Sequence, residues 1–531
     1  MNDLMNRRSF LGLAGGAAAV AGLGLAGCSG NGDAPAGSAP SDAKVGGGVI
    51  TAGSAYASTS YDPTSTSQAL ALGANWHVVE GLYGIDFHDY STFPELAADD
   101  PKQIDDTTYE ITIREGAKFS DGTAVTPDDV IESYKRCTVD GSFYLPMLAP
   151  FASIEKKDDT TLTIKTTVPN FSLIKERLSI IRVVPAASTV EDMTAKPIGS
   201  GPWMYDSITE ASLDLSPNPE YNGKFAAKDK LHYDVLTDPT ARITAQTEGT
   251  TLVMEMVTAD AIEQLEAASC NVDTIQGFGT RFMLFNTQKA PWDNVKARQA
   301  VLYALNYEQM ISNAFNGLAS KASCYLPKEF PNYHEASVVY DTDVEKAKSL
   351  LSEAGVTPGP LELCITDNEQ VVSMATQVKN DLDALGFEVT INKQTSANTY
   401  TYIDGGAQFD LLLAPGDPSC FGADPDLLMN WWYGNNAWMQ KRARWVESPE
   451  WKELSELMAA ALGQEGDEQQ ETWNKCFDLI AEQAVLYPVV QVQTVTGYWG
   501  DTPNGDGVSI KDFKGIGTTG MSFIGCATAK A

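Results

Sequence analysis

LELCITDNEQVVSMATQVKNDLDALGFEVTI (361–391) sets the fold class. LELCI and FEVTI are short apolar runs of strand type. Between them Val371, Ala375, Val378, Leu382 and Leu385 recur at steps of four and three, the spacing of one buried helical face, and Gly386 stops the pattern. Strand, helix and strand in units of this size predict a parallel or mixed sheet covered by helices. Upstream, VEKAKSLLSEAG (344–355) puts Val344, Ala347, Leu351 and Ala354 on one helical face and ends at Gly355. Downstream, FDLLLA (409–414) is a further strand, so the second half reads as α/β. Ligands of open α/β sheets sit beyond the carboxyl ends of strands, which directs attention to the loop after FDLLLA.

That loop, GDPSCFGADPDLLMNWWYG (416–434), sets Asp417, Asp424 and Asp426 beside Trp431, Trp432 and Tyr433, with Trp438 shortly after. The aspartates do not alternate as calcium-loop ligands do, and Pro418 and Pro425 interrupt them. No signal marks a catalytic carboxylate pair. Asp-Pro also forms turns, and Asp426 stands where a helix starting at LLMNWW takes an acid in its first turn. The tryptophans suit either a core or platforms for apolar side chains and sugar rings.

The first half mixes strands and helices. In TYEITIREG (108–116) Tyr109, Ile111 and Ile113 alternate with polar residues, as in a half-buried strand. Asp121-Gly122 is a turn, and TPDDVIESYKRC (126–137) opens a helix with Thr126 as N-cap, Pro127 at the first position and two aspartates in the first turn. TTLTIKT (160–166) alternates again.

A chain of 531 residues with 43% hydrophobic content can bury a large core, and its length suggests two to four domains. The formal charge of -33 repels nucleic acid and anionic lipid, so neither is expected as a partner. His77, His88, His232 and His334 form no metal motif, and Gly-x-Ser-x-Gly and the phosphate loop are absent. GIGTTG (515–520) has only eleven residues after it, too few to open a dinucleotide-binding helix. No catalytic residue, cofactor or metal is expected.

The N-terminus carries its own signal. NRRSFLGLAGGAAAVAGLGLAGCSG joins Arg7-Arg8 to an uncharged, glycine-rich stretch that ends in Leu25-Ala26-Gly27-Cys28. This pattern resembles a twin-arginine export signal ending in a lipoprotein box, with residues 1–27 removed and a lipid on Cys28. Residues 28–47 are a flexible tether of Gly, Ser, Ala and Pro, spanning roughly 24 Å on average. Seven cysteines follow Cys28 with no Cys-x-x-Cys pair, and their odd number leaves at least one thiol unpaired.

Six segments in order carry a family resemblance: VVEGLYGID (78–86) with FPELAAD, TYEITIREGAKFSDGTAVTPDDVIESYKRC (108–137), GSGPWMY (199–205) with SPNPEYNGK, FNTQKAPWDNVKARQAVLYALNYEQMI (285–311), YDTDVEKAKSLLSEAG (340–355) and QVKNDLDALGFEVTI (377–391). Together they resemble the extracytoplasmic solute-binding proteins of ABC importers, in the oligopeptide/dipeptide group called family 5. The resemblance implies an α/β, two-lobed periplasmic-binding-protein (type II, flytrap) fold with an additional inserted α+β domain. Residues 48–80, 185–280 and 490–531 would form lobe one, 81–184 the inserted domain and 281–489 lobe two.

By the same resemblance, Asp417 matches an aspartate that holds a peptide's α-ammonium, though the loop here is about four residues longer. Tyr56, Ala57 and Ser58 match a segment whose backbone pairs with peptides by strand addition. Dipeptide-binding members carry an Arg after the strand matching LELCITD, where this chain has Thr366, Asp367 and Asn368, so a peptide longer than a dipeptide is expected. Trp431, Trp432 and Trp438 are candidate ligand platforms, and Arg281 is a candidate partner for a ligand carboxylate. The expected protein is a monomer, anchored on the outer face of the membrane through Cys28, that captures peptides and hands them to ABC permease subunits. A receptor for oligosaccharides or another small solute, a stand-alone sensor and an enzyme on the same scaffold remain open at this point.

Overall fold

The computed structural model describes residues 44–515 and 520–530. The export signal, Cys28, the tether as far as residue 43, and residues 516–519 of GIGTTG lie outside the described residues. Among the described residues no helix is long and apolar enough to cross a membrane.

The α/β reading of the second half holds element by element. Helix Val344–Glu353, strand Pro360–Ile365, helix Glu369–Ala384 and strands Glu388–Lys393 and Leu411–Gly416 all form. Val371, Ala375, Val378, Leu382 and Leu385 are buried, as the period requires. Val344 departs from expectation and is exposed, because it is the first helical residue after the N-cap Asp343 and overhangs the core that Ala347 and Leu351 fill. Helix Pro127–Cys137 begins with Thr126, whose N–H and hydroxyl both donate to the Asp129 carboxylate at 2.8 Å.

An eleven-stranded sheet runs through the molecule. Its order is Glu388–Lys393, Pro360–Ile365, Leu411–Gly416, Asn271–Phe285, Leu486–Tyr498, Val253–Met254, Val49–Ser54, Lys230–Val235, Ser212–Pro217 and Trp203–Ile208, with Ala319–Lys321 added beside Leu486–Tyr498. Pro360–Ile365 is parallel to both its neighbours, and Val49–Ser54 is parallel to Lys230–Val235 and Val253–Met254. The long strands Asn271–Phe285 and Leu486–Tyr498 pair antiparallel and join these two halves. Their register shifts between Gln276 and Thr280, so the ladder is broken at residues 277–279.

Two hydrophobic cores lie along this sheet. One takes residues from 50–79, 184–272 and 495–526, and the other from 278–492. Residues 82–183 contribute to the second core and carry their own antiparallel sheet, ordered Lys102–Asp105, Thr108–Thr112, Thr161–Thr166 and Phe151–Lys156. The chain enters and leaves that region past a buried charge network. Arg114 meets both oxygens of Glu80 at 3.1 Å, and Arg182 meets Glu95 at 3.0 Å. Burial pushes Glu95 up to about 7 despite Arg182, with Glu80 adding to the rise.

The 82–183 region is tied to the 278–492 core by Arg177. This fully buried guanidinium makes two 2.8 Å bonds to Asp424 and one of 2.8 Å to Asp426. Burial alone would raise the Asp424 carboxyl, but Arg177 outweighs it and holds it below the usual range. Breaking one side of a buried, hydrogen-bonded pair leaves uncompensated charge. Arg177→Met should therefore destabilise the protein by about 3–5 kcal/mol, read as a lowered midpoint in denaturant. An unchanged midpoint would show that this clamp contributes nothing.

Candidate functional site

Strand Leu411–Gly416 ends where the sequence places a site. A Cβ on Gly416 would stand 2.2 Å from the Trp432 ring, so only glycine lets that ring lie on the strand end. Asp417 then caps the short turn Pro418–Phe421: its Oδ1 accepts from the Ser419 N–H at 2.9 Å and the Ser419 hydroxyl at 2.6 Å. The Tyr90 hydroxyl donates to Ser419 Oγ at 3.1 Å. Oδ2 of Asp417 lies 3.8 Å from the place a Cβ on Gly279 would occupy, over the broken ladder. Burial pushes this carboxyl up to about 6, although Ser419 and the more distant Arg281 both favour its charged form. Among the described residues it has no ion-pair partner.

Arg281 follows on the same strand, two residues past Gly279. It is 4% exposed. Its Nη1 donates to the Thr280 carbonyl at 3.0 Å, its Nη2 to the Gln370 side chain, and its Nε has no partner. Burial lowers its pKa, and the Tyr56 and Asp417 groups oppose that change. No carboxylate of the described residues pairs with it.

Tyr56 stands at the end of strand Val49–Ser54, half-buried. Burial pushes its hydroxyl up to about 12, with Glu255 adding to the rise and Arg281 and Arg242 opposing it. Glu255 is itself buried and accepts from Ser54 Oγ at 2.8 Å and the Ala55 N–H at 2.9 Å, which fixes the turn into residues 56–58. Arg242 braces the opposite side through the carbonyls of Leu236, Glu255 and Met256. Ser58 Oγ accepts from the Ala71 N–H at 3.1 Å. The backbone groups of Ala57 and Ser58 find no partner among the described residues.

The aromatic candidates divide. Trp432 lines a narrow crevice with Phe278, Thr280, Tyr325, Pro418 and Gln491, directly beside Asp417. The crevice has room for little more than water. Phe278 stacks on Phe330 with ring centres 3.8 Å apart and meets Tyr90 edge-on at 5.9 Å. Trp431, Trp432 and Trp438 are all buried in the same core, Trp432 the most deeply. Trp431 packs between Phe143 and Phe421, and Trp438 lies under the Arg442 guanidinium, which Asp404 holds in place. Asp424 and Asp426 are the N-cap and first-turn acid of helix Pro425–Tyr433 and serve Arg177.

The structure thus gathers Tyr56, Arg281, Asp417 and Trp432 and adds Tyr90, Glu255, Phe278, Tyr325 and Gln370, which the sequence reading did not select. Glu255 was detectable as a lone charge in the apolar run LVMEMV; an unremarkable helical glutamine such as Gln370 sends no such signal. Among the described residues no cluster of His, Cys, Asp and Glu is placed to hold a metal ion, and the seven described cysteines are buried, unpaired thiols.

Because the Asp417 pKa is raised in the folded state, its stabilising contribution is complete below its unfolded value, near pH 4, and is lost as pH rises through about 6. Above that pH the fold holds a partly desolvated charge that the unfolded chain keeps in water. Asp417→Asn should therefore raise the stability of the ligand-free protein by about 1–2 kcal/mol at pH 7.5 and by much less at pH 4.5. Thermal denaturation at the two pH values reads this directly, and equal effects at both would contradict it.

Comparison with known proteins agrees with this architecture. The sequence matches the bacterial extracellular solute-binding proteins, family 5 (middle), over residues 92–440. Heme-binding protein A of Haemophilus influenzae is 29% identical over 52% of this chain and 56% of its own length. The probable D,D-dipeptide-binding periplasmic protein of Escherichia coli is 24% identical over 64% of this chain and 66% of its own length. The chain thus spans about half to two-thirds of the curated relatives it matches. An ABC transporter-associated periplasmic binding protein from Helicobacter pylori, solved with a peptide, superposes with a TM-score of 0.78 at 20% identity, covering 92% of this chain and 99% of that one. That superposition gives the fold, a two-lobed type II binding protein with an inserted domain. The chain belongs to the bacterial extracellular solute-binding proteins of family 5.

Proposed function

We propose that this protein is the membrane-anchored, substrate-binding component of an ABC importer and that it captures peptides between its two cores. The observation that carries the reading is Asp417, a half-buried carboxylate beside the broken ladder with no ion-pair partner among the described residues. A ligand ammonium would supply the missing charge through charge-assisted hydrogen bonds. The backbone of Ala57 and Ser58, without partners among the described residues, suits a peptide main chain. Relatives are named for a D,D-dipeptide and for heme, and the peptide reading is consistent with the former. A sugar-binding role has less support, since Phe143, Phe421 and Arg442 already cover the faces of Trp431 and Trp438.

Residues 48–80, 185–280 and 490–531 are read as lobe one, 281–489 as lobe two and 81–184 as the inserted domain. Anchoring follows from the lipoprotein box at Cys28. Cys28→Ser should move the protein from the membrane fraction to the soluble extracytoplasmic fraction, and retention at the membrane would overturn the lipid anchor.

Native mass spectrometry of the purified mature protein should find a co-purified peptide. A sugar mass, or no thermal shift with any member of a varied peptide library, would contradict the peptide reading. Asp417→Asn should weaken peptide binding about 10- to 100-fold at pH 7.5, the range of a lost charge-assisted bond. Wild-type affinity should fall as pH drops through about 6, where Asp417 takes up a proton. Unchanged affinity in the variant would remove Asp417 as the amine anchor.

A further inference from the structure

Strand Val49–Ser54 leads to Tyr56 at one end, and its other end stands where the chain emerges from residues 28–43. One buried acid knots that pole together. The Asp229 carboxylate accepts from the Gly48 N–H at 2.7 Å, and from the Thr528 N–H and hydroxyl at 2.9 and 2.6 Å. The Gly47 N–H donates to the Lys228 carbonyl at 3.0 Å. Strand Lys44–Val45 pairs with Ala527–Lys530, which pairs in turn with Val508–Lys511. The first residues after the tether, the segment around Asp229 and the last strand are thus held in one place.

What this pole turns outward is basic, in a chain of net charge -33. GKFAAKDK (223–230) holds three lysines and one acid, and that acid, Asp229, is 1% exposed and occupied by the bonds just described. Lys228, Lys230 and Lys530 are exposed, and none of them pairs with an acid among the described residues. The ladder also puts Lys44 in register with Lys530. Exposed apolar side chains stand among these lysines: Val49 is in register with Lys230, and Val45 lies on the strand beside Ala527–Lys530. The exposed acids Asp506 and Asp512 bracket Val508–Lys511, across Ala527–Lys530 from Lys44.

We propose that this pole is a docking surface for anionic lipid headgroups, and that it sets how the body stands on the membrane. The assignment rests on the anchor reading at Cys28. Residues 28–43 join Cys28 to Lys44, and a flexible chain of that length spans roughly 20–24 Å on average. An anchored protein therefore keeps this pole closer to the headgroups than any other part of its surface. Salt confines exposed electrostatics to about 8–10 Å, so the headgroups meet these lysines rather than the net charge that keeps the free protein off anionic lipid. Each lysine at an anionic surface raises the bound fraction about fivefold. The two valines add apolar area for the headgroup boundary. With this end of Val49–Ser54 on lipid, the Tyr56 end and the candidate site face away from the bilayer.

The test places the full lipidated protein in vesicles of phosphatidylcholine alone or of equimolar phosphatidylcholine and phosphatidylglycerol. Lysine acetylation is followed residue by residue by mass spectrometry, with exposed Lys441 and Lys452 as references. Acetylation of Lys228, Lys230 and Lys530 should slow about 5- to 10-fold on the anionic vesicles at low salt, and less than about 2-fold on the neutral ones or at high salt. In the double variant Lys228→Gln/Lys230→Gln, both changes at exposed positions, protection of Lys530 should fall below about 2-fold. Equal reactivity of the three lysines on both vesicles, by protein whose mass shows the lipid on Cys28, would overturn the docking surface while the anchor reading stands. A mature protein without lipid on Cys28 would overturn the anchor and the surface with it. Protection in native membrane vesicles but in neither synthetic kind would assign the surface to a protein partner and overturn the lipid reading.

Discussion

Strands Asn271–Phe285 and Leu486–Tyr498 pair antiparallel from one hydrophobic core to the other, and their ladder makes a single sheet out of two halves. Each half presents its strand ends to the zone between the cores, and both long strands run through that zone. Residues there can be reached from both sides at once. The register break at Gln276–Thr280 falls inside it, and the break exposes Gly279 to Asp417 from the neighbouring strand. Tyr56 arrives from the end of Val49–Ser54 in the other half. The site is therefore a consequence of how the halves are joined.

The electrostatics of that zone run against folding. Half-buried Asp417 and buried Arg281 have no ion-pair partner among the described residues, and desolvation moves the pKa of each towards its neutral form. Elsewhere the protein handles buried charge differently: Arg177 is satisfied by two aspartates, and Arg114 and Arg182 by two glutamates. Local departures of this kind concentrate where binding needs a group ready for an external partner. Arg242 and Arg298, also buried, rest on neutral carbonyl and amide acceptors as Arg281 does.

Much of this was legible in the sequence, for identifiable reasons. Helix Glu369–Ala384 announced itself because its buried face repeats over four turns, and strand Leu411–Gly416 because it is a continuous apolar run. The position of Asp417 followed from the rule that ligands gather beyond strand ends. Short strands such as Val253–Met254 and Ala319–Lys321 gave no signal, because two or three residues carry no period and exist only through their neighbours. The tryptophans were ambiguous for a related reason. Burial and ligand contact both favour aromatics, and the structure puts all three tryptophans in the core, with Trp432 alone also lining the crevice. The partnership of Arg177 with Asp424 spans 247 residues of sequence, and no local pattern encodes it.

The central claim is that a charged ligand completes this site by neutralising Asp417 across the joined halves. A crystal structure of the mature protein with its co-purified ligand tests this most directly. The account predicts a basic ligand nitrogen about 2.7–3.1 Å from the Asp417 carboxylate, the distance of a charge-assisted hydrogen bond. A ligand that places a neutral or apolar group against Asp417, or binds away from it, would contradict the account.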